Sequence, residues 1–549
     1  MQETVVQHVL SALHSVGVTK VFGVPGDYAF PFDSAVCEDP RFSWIGTSNE
    51  LNAAYAADGY ARVQGFSAIC TTQGAGELSA INGIAGSYAE HVPVFDIVGM
   101  EPTTTRNDPL MMHHTLDRGA YESFYDMVAP VVCARAILTP ENCVAEMQRL
   151  VATAVYERRP VYIGIPSDCA TAPVVVNDDT TRFTAPQSDP IALEEAATAI
   201  IDALARSATA CMLPGILTAR FGLRAAVFAL REASRLPFAT MLMDKGILDE
   251  TNPAYLGMYL GHQGNTDAWR FIEGCDCVLA IGVMFTDTTS MGDTVQLEQS
   301  KLIEITPHAT RIDATLYEQV EMGDLVRVLI ERVPAYAGSM GPAPAVAPSV
   351  EAPAVEEGAV LTADYLYERW GALLQPGDTV LAEWGTILLE FTQMQLPAGV
   401  TLLNDGLWSS IGWATPATFG AALADPGGRV LLFTGDGAHQ MTAQEVSQIA
   451  RQGLKPIIFV LNNSGYLVER LTGHGMQNYY NDLAPWNYEA LANALGCTAW
   501  MTAQVRTCGE LDQAIKEAQT CETGAYIEVI VDESVVTTSS LGAMMAAHV

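Results

Sequence analysis

Positive charge is scarce in this chain. Its 549 residues carry 28 Lys plus Arg against 63 Asp plus Glu, a formal charge of -35. So acidic a surface repels phosphate backbones and anionic lipid heads, which sets aside nucleic-acid and membrane-surface partners. Also missing is any run of roughly 20 apolar residues, the length a membrane-spanning helix needs. The opening residues, Met1 to Leu13, hold Glu3, Gln7 and His8 among apolar positions. They lack the basic start and long apolar middle of a secretory signal, so a cytoplasmic protein is expected. Paired cysteine motifs are absent as well. Among the 11 cysteines there is no Cys-x-x-Cys, and Cys275 and Cys277 alternate within one apolar run. Neither a zinc site nor a disulfide framework is indicated.

Apolar material is abundant by contrast: 49% of residues are hydrophobic and only 17% charged. That composition buries several cores and rules out global disorder. Helical spacing over Thr4 to Val16 precedes a short apolar run, Val18 to Val24. Strand-like runs follow at Ala68 to Thr72, Val92 to Val98 and Val161 to Ile165. An amphipathic stretch at Ile191 to Ala205 and a buried run at Cys277 to Phe285 belong to a second unit. Residues 335–358, rich in Ala, Pro, Gly and Ser, read as a linker. Beyond it, Thr379 to Ala382, Arg429 to Thr434, Pro456 to Leu461 and Ala525 to Val531 read as strands. Strands alternating with helices predict mostly parallel sheets covered on both faces. Three α/β domains are expected, at 1–182, 190–340 and 359–549, with no short-period repeat.

Chemistry concentrates in the third of these. The run Val430 to Thr434 ends in Gly435-Asp436-Gly437, a helix is expected over Ala443 to Arg451, and the next run ends in Asn462-Asn463. Neighbouring strands of a parallel sheet end side by side, so Asp436 and Asn463 are expected to converge at the carboxyl edge, where such folds bind ligands. A carboxylate, an amide oxygen and a free backbone carbonyl are hard ligands suited to Mg²⁺ or Ca²⁺. The glycines let backbone N–H groups approach a phosphate.

On these residues the chain resembles the thiamin diphosphate-dependent 2-keto acid decarboxylases of the pyruvate/indolepyruvate group, essentially from end to end. The resemblance is carried by Phe22-Gly23-Val24-Pro25-Gly26-Asp27, Asn49-Glu50-Leu51-Asn52-Ala53, Gly74-Ala75-Gly76-Glu77-Leu78-Ser79 and His113-His114-Thr115-Leu116. Gly435-Asp436-Gly437 and Asn462-Asn463-Ser464-Gly465-Tyr466-Leu467-Val468-Glu469 complete it. It implies three parallel-sheet α/β domains, the first binding the cofactor's pyrimidine and the last its pyrophosphate and Mg²⁺. It implies a site shared between two subunits, hence a homodimer at minimum and a homotetramer by expectation. The implied reaction is non-oxidative decarboxylation of a 2-keto acid to an aldehyde and CO₂ through a thiamin diphosphate enamine.

Carried over residue by residue, Glu50 faces the aminopyrimidine, and Asp27, His113, His114 and Glu469 handle protons, a task that needs groups poised near neutrality. Consecutive side chains on an extended segment point apart, which argues against a metal held by the two histidines. Glu469, flanked by Leu467, Val468 and Leu471, is expected to be held protonated by apolar surroundings. Asp436, Asn463 and the Gly465 carbonyl are the implied metal ligands. Thr72, Gly385, Thr386, Ile411, Gly435, Gly437, Ala438 and Tyr466 are implied cofactor contacts. So is Ser409, which stands where the family usually has Gly; Gln73 and Ala75 likewise replace commoner residues near the ring.

Thr288, Trp384, Leu388, Val468 and Thr472 are the implied substrate pocket. Pyruvate-specialised members close it with aromatics, so Thr288 and Leu388 are expected to vacate space for a branched, long-chain or aromatic 2-keto acid, against which Trp384 counts. The rival readings are a pyruvate decarboxylase, a thiamin-dependent carboligase and a cofactor-binding but inactive subunit. A nicotinamide or flavin protein would need Gly-x-Gly-x-x-Gly after the first strand, and Gly23 to Asp27 does not supply it.

Overall fold

The computed structural model describes residues 3–107, 110–174, 185–262, 266–292, 294–341, 356–472, 478–534 and 536–537. Residues 342–355 of the stretch read as a linker, and the boundary near 182, lie outside them. Among the described residues, three sheets dominated by parallel pairing, each flanked by helices, form the domains, and a short antiparallel pair joins Glu3–Thr4 to Pro173–Val174.

The first sheet runs, edge to edge, Ser43–Gly46, Lys20–Gly23, Ser67–Thr72, Val94–Met100, Val161–Pro166, Ala134–Ile137, parallel throughout. The third runs Thr401–Leu403, Thr379–Ala382, Val430–Gly435, Ile457–Asn462, Ala525–Ile530, Met501–Val505, again all parallel. Taken in chain order within each sheet, both have strand order 2-1-3-4-6-5. The first and third domains are therefore one architecture used twice, a repeat that the sequence conceals because it is kept in topology rather than in residues. The central sheet differs. Its five parallel strands, Tyr255–Met258, Phe238–Thr240, Ala210–Pro214, Cys277–Ile281 and Leu302–Ile305, are extended by the antiparallel pair Ala309–Ile312 and Thr315–Glu318.

The apolar runs become strands because both of their faces are covered. Val430 to Thr434 and Ile457 to Leu461 are wholly buried, as parallel strands between helix layers must be. Short edge strands such as Ser43–Gly46 and Thr401–Leu403 escape a sequence reading because three or four residues set no period. The helix expected over Ala443 to Arg451 is broken. A helix already starts at Asp436 and runs to Thr442, a single tight turn covers Ala443–Glu445, and Val446–Arg451 resumes.

The two like domains touch through the helix Glu50–Gln64 and the helix Ala414–Ala424, both rich in alanine and buried nearly throughout. Glycine is required at this crossing. A Cβ on Gly420 would run into the Ala56 carbonyl, and one on Gly59 into Ala417. Beside it a buried charge cluster joins all three domains. Arg62 meets Asp58 at 2.6 Å and Glu90 at 2.9 Å, while Glu90 accepts N–H bonds from Leu407 and Trp408 and faces Arg220 at 3.8 Å. Among the described residues no helix is long and apolar enough to cross a membrane.

Candidate active site

Sheets of order 2-1-3 have a switch point between strands 1 and 3, where connections leave to opposite faces and open a crevice. In the third sheet those strands end in Glu383-Trp384-Gly385-Thr386 and Gly435-Asp436-Gly437. A cleft opens there, and Ile411, Ala438, Asn463, Gly465, Tyr466, Val468 and Glu469 also line it. In the first sheet the equivalent ends are Gly26-Asp27 and Thr72-Gln73. They are in contact, since a Cβ on Gly26 would collide with Thr72.

Asp436 is the first residue of its helix and is buried. Its Oδ1 accepts from the Gly437 N–H at 2.8 Å and its Oδ2 from the Gly465 N–H at 3.2 Å. Strand pairing sets Gly435 beside Leu461, which delivers Asn463 to the same place. The inward atom of the Asn463 amide lies 3.3 Å from Asp436 Oδ1 and 2.9 Å from the Gly465 carbonyl oxygen. With its nitrogen inward, the amide donates to both. With its oxygen inward, it completes a set of three converging oxygens suited to a cation. A carboxylate, an amide and a carbonyl are the donor set for a hard divalent ion, so the residues fit Mg²⁺. Burial raises the Asp436 carboxyl to about 6, partly offset by its N–H bonds, and a neighbouring cation favours the ionised form.

The loop carrying these ligands is braced from below. Arg470 is buried, and its guanidinium donates to the carbonyls of Asn463 at 3.3 Å and Ser464 at 3.0 Å and to Asp482 at 3.0 Å. Gly465 and Gly437 leave room for this packing: a Cβ on the first would strike Arg470, and one on the second the Tyr466 ring. Glu383 is a second brace. Fully enclosed, its carboxylate accepts from the backbone of Trp384 at 3.2 Å, Gly412 at 3.2 Å and Ala414 at 3.3 Å. It thereby ties the segment bearing Gly385 and Thr386 to the one bearing Ser409 and Ile411, and burial pushes its carboxyl up to about 7. Neither brace was visible in the sequence, where Glu383 is a lone acid after a strand and Arg470 a lone base in a helix. Ser409 has φ 55, a left-handed backbone that costs a non-glycine residue about 1–2 kcal/mol.

In the first domain, Glu50 opens the helix capped by Asn49, and its Oε1 would stand 3.4 Å from a Cβ on Gly76, beside Thr71 and Thr72. Asp27 Oδ2 meets His113 Nε2 at 2.9 Å with both side chains half exposed. The Tyr28 ring stacks on His113 at 4.7 Å, with its hydroxyl 3.2 Å from Nδ1. The expectation that the adjacent histidines point apart is overturned: their rings lie 4.7 Å apart. The segment is not extended there. His114 has φ 60, and its carbonyl packs where a Cβ on Gly74 would have to stand.

Three more of the expected site residues are placed as follows in the single chain. Glu469 lines the cleft but is exposed, because a helix turns its neighbours Leu467 and Leu471 into the core and leaves Glu469 out. Thr288 is not among the cleft residues; its hydroxyl is tied to the Gly406 carbonyl at 2.8 Å. Leu388 is fully buried in the core on which Trp384 and Val468 pack, one layer behind the cleft wall. Leu388→Trp is therefore expected to cost about 1–3 kcal/mol by overpacking, read as a lower thermal midpoint. Unchanged stability with altered specificity would place the side chain at the cleft surface instead. Trp384 and Val468 do line the cleft, and the Thr472 side chain lies outside the described residues.

Three descriptions of thiamine pyrophosphate enzymes match the chain in order: the N-terminal TPP binding domain over residues 3–123, the central domain over 197–332 and the C-terminal TPP binding domain over 385–529. A protein named alpha-keto-acid decarboxylase from Mycobacterium leprae is 35% identical over 535 residues, covering 96% of this chain and 93% of that one. The chain belongs to the thiamin diphosphate-dependent 2-keto acid decarboxylase family. Proteins with the same name from Mycolicibacterium paratuberculosis (36% identical; 94% of this chain, 91% of that one) and Mycobacterium tuberculosis (37%; 94% and 92%) agree. Every residue lining the cleft lies between Trp384 and Glu469, and none comes from the first domain.

Proposed function

We propose that this protein releases CO₂ from a 2-keto acid to leave an aldehyde, with thiamin diphosphate and Mg²⁺ held between two copies of the chain. The convergence of Asp436, Asn463 and the Gly465 carbonyl at the switch point carries this reading, in a chain whose relatives are named alpha-keto-acid decarboxylases. When bound, thiamin diphosphate supplies a carbon nucleophile for the keto carbon and an electron sink for the bond to CO₂.

The chain's own groups do the rest. Asp436, Asn463 and Gly465 hold the metal. Gly385, Thr386, Gly435, Gly437, Ala438 and Tyr466 receive the pyrophosphate end, and Ile411 and Ser409 support the rings. From the partner's first domain, residues 1–182, the equivalents of Glu50 and Thr72 hold the pyrimidine. Asp27, His113, His114 and Glu469 move the protons, with the Asp27 carboxylate and the Tyr28 hydroxyl orienting the His113 ring from its two nitrogens. The third domain, 359–549, provides the metal half, and 190–340 with the 335–358 linker joins the two.

Exposed apolar side chains support assembly. Phe30, Leu110, Met111 and Leu116 belong to the domain of the first half-site, and Met441, Tyr479, Tyr480 and Trp486 to that of the second. Patches of this kind mark association surfaces, here of a homodimer that pairs further into a homotetramer in the cytoplasm.

The cleft wall of Ile411, Leu461 and Val468, with Trp384 at one side, suits a branched, long-chain or aromatic side chain. Four buried carbons at roughly 0.8 kcal/mol each favour the larger acid by about two orders of magnitude in kcat/KM. Release of CO₂ and aldehyde from phenylpyruvate, 4-methyl-2-oxopentanoate and pyruvate tests both levels. No CO₂ from any 2-keto acid overturns the activity, and a phenylpyruvate to pyruvate ratio below one overturns the substrate class.

A further inference from the structure

We propose that Asp27, His113 and His114 also form a binding site for a borderline divalent cation of the Zn²⁺, Ni²⁺ or Co²⁺ class, and that filling it stops turnover. The metal site stands on geometry alone; the loss of turnover rests on the catalytic reading above.

One ligand atom from each of the three residues lies within 4.8 Å of the other two, with His113 Nε2 and Asp27 Oδ2 already 2.9 Å apart. Metal–ligand bonds of about 2.0–2.2 Å separate ligand atoms by little more than 3 Å, so a small rotation of His114 closes the set. Two features make this more than a chance cluster. The left-handed backbone of His114, with its carbonyl packed over Gly74, swings its ring toward its neighbour, and loss of that conformation would separate the two. The Tyr28 hydroxyl at 3.2 Å from His113 Nδ1 fixes that ring from behind and leaves Nε2 for a metal, the outer-shell contact that ligating histidines need. The side chains of Asp27 and His113 are half exposed, so water can complete the coordination.

Ligand softness keeps the two cation sites apart. Imidazoles favour Zn²⁺, Ni²⁺ and Co²⁺, whereas the three oxygens of the third domain favour Mg²⁺. A formal charge of -35 concentrates cations around both. A cation here occupies the lone pairs of His113, His114 and Asp27 together, which removes three of the four proton-handling groups at once and leaves Glu469 alone.

The test uses the enzyme loaded with thiamin diphosphate in millimolar Mg²⁺, with Co²⁺ as the spectroscopic probe and Zn²⁺ as the inhibitor. One Co²⁺ per chain should bind with visible d–d absorption, and Zn²⁺ should displace it and inhibit with the same midpoint. His114→Asn, which tolerates the left-handed backbone, and Asp27→Asn should each weaken Co²⁺ binding at least tenfold. Cys37→Ser, which removes an exposed thiol, should leave it unchanged. Absence of the absorption in the wild type, its survival in both variants, or its loss with Cys37 overturns the site. Inhibition relieved by raising Mg²⁺ moves the effect to Asp436 and overturns it equally. Co²⁺ binding that needs these residues while turnover continues overturns the inhibition and the catalytic assignment, with the metal site left standing.

Discussion

Asp436→Ala is expected to keep the fold and to lose Mg²⁺-dependent retention of thiamin diphosphate altogether. The carboxylate supplies the only formal charge among the three converging oxygens, and without it an amide and a carbonyl compete poorly with water for Mg²⁺. The same group links the site to pH. Burial raises its carboxyl from 3.8 to about 6, so the folded chain holds this proton more tightly than the unfolded chain. Ionisation therefore costs the metal-free fold stability as pH rises from about 4 to about 6, and the cost is present in full above that window, at about 3 kcal/mol. A bound cation favours the ionised form and offsets it. Mg²⁺ and cofactor retention should accordingly fall below about pH 6. Asp436→Asn, similar in size but uncharged, should raise the unfolding temperature of the metal-free protein at about pH 8 and not at about pH 4. Cofactor content after gel filtration and thermal unfolding at the two pH values measure these effects. One cofactor per chain in Asp436→Ala would remove this residue from the metal.

Mixing two inactive variants, Glu50→Gln and Asp436→Ala, should restore activity. Glu50 sits at the head of the first domain's helix beside Gly76 and Thr72, while the cleft at Asp436 is lined by third-domain residues alone. If the site forms between chains, a mixed dimer has one site in which both halves are intact and one in which both are mutated. Statistical exchange makes half of the dimers mixed, so activity should return to about a quarter of wild type. Subunit exchange followed by a CO₂-release assay reads this directly. Mixed dimers that form and stay inactive would mean that one chain builds its own site.

Residue types at strand ends carried most of what the sequence determined about this protein. Gly435-Asp436-Gly437 and Asn462-Asn463 each close a run too apolar to lie anywhere but between helix layers. Parallel neighbours end together, so the meeting of Asp436 with Asn463 needed no coordinates. The α/β class and the central strands followed from the same apolar runs. Three matters were settled only by packing at long range. The shared 2-1-3-4-6-5 order makes the two half-sites topological equivalents, and strand order depends on which faces the helices cover, not on local pattern. The His113–His114 contact depends on φ 60 at His114, a strained backbone set by what packs over Gly74. Burial direction was the third. Leu388 and Glu469 each sit in short helices next to the cleft, and a rotation of 100° per residue decided which faced the core and which faced solvent. Glu383 and Arg470 belong with them: their roles are hydrogen bonds to backbone that only the folded chain brings near, so no spacing in the sequence could announce them.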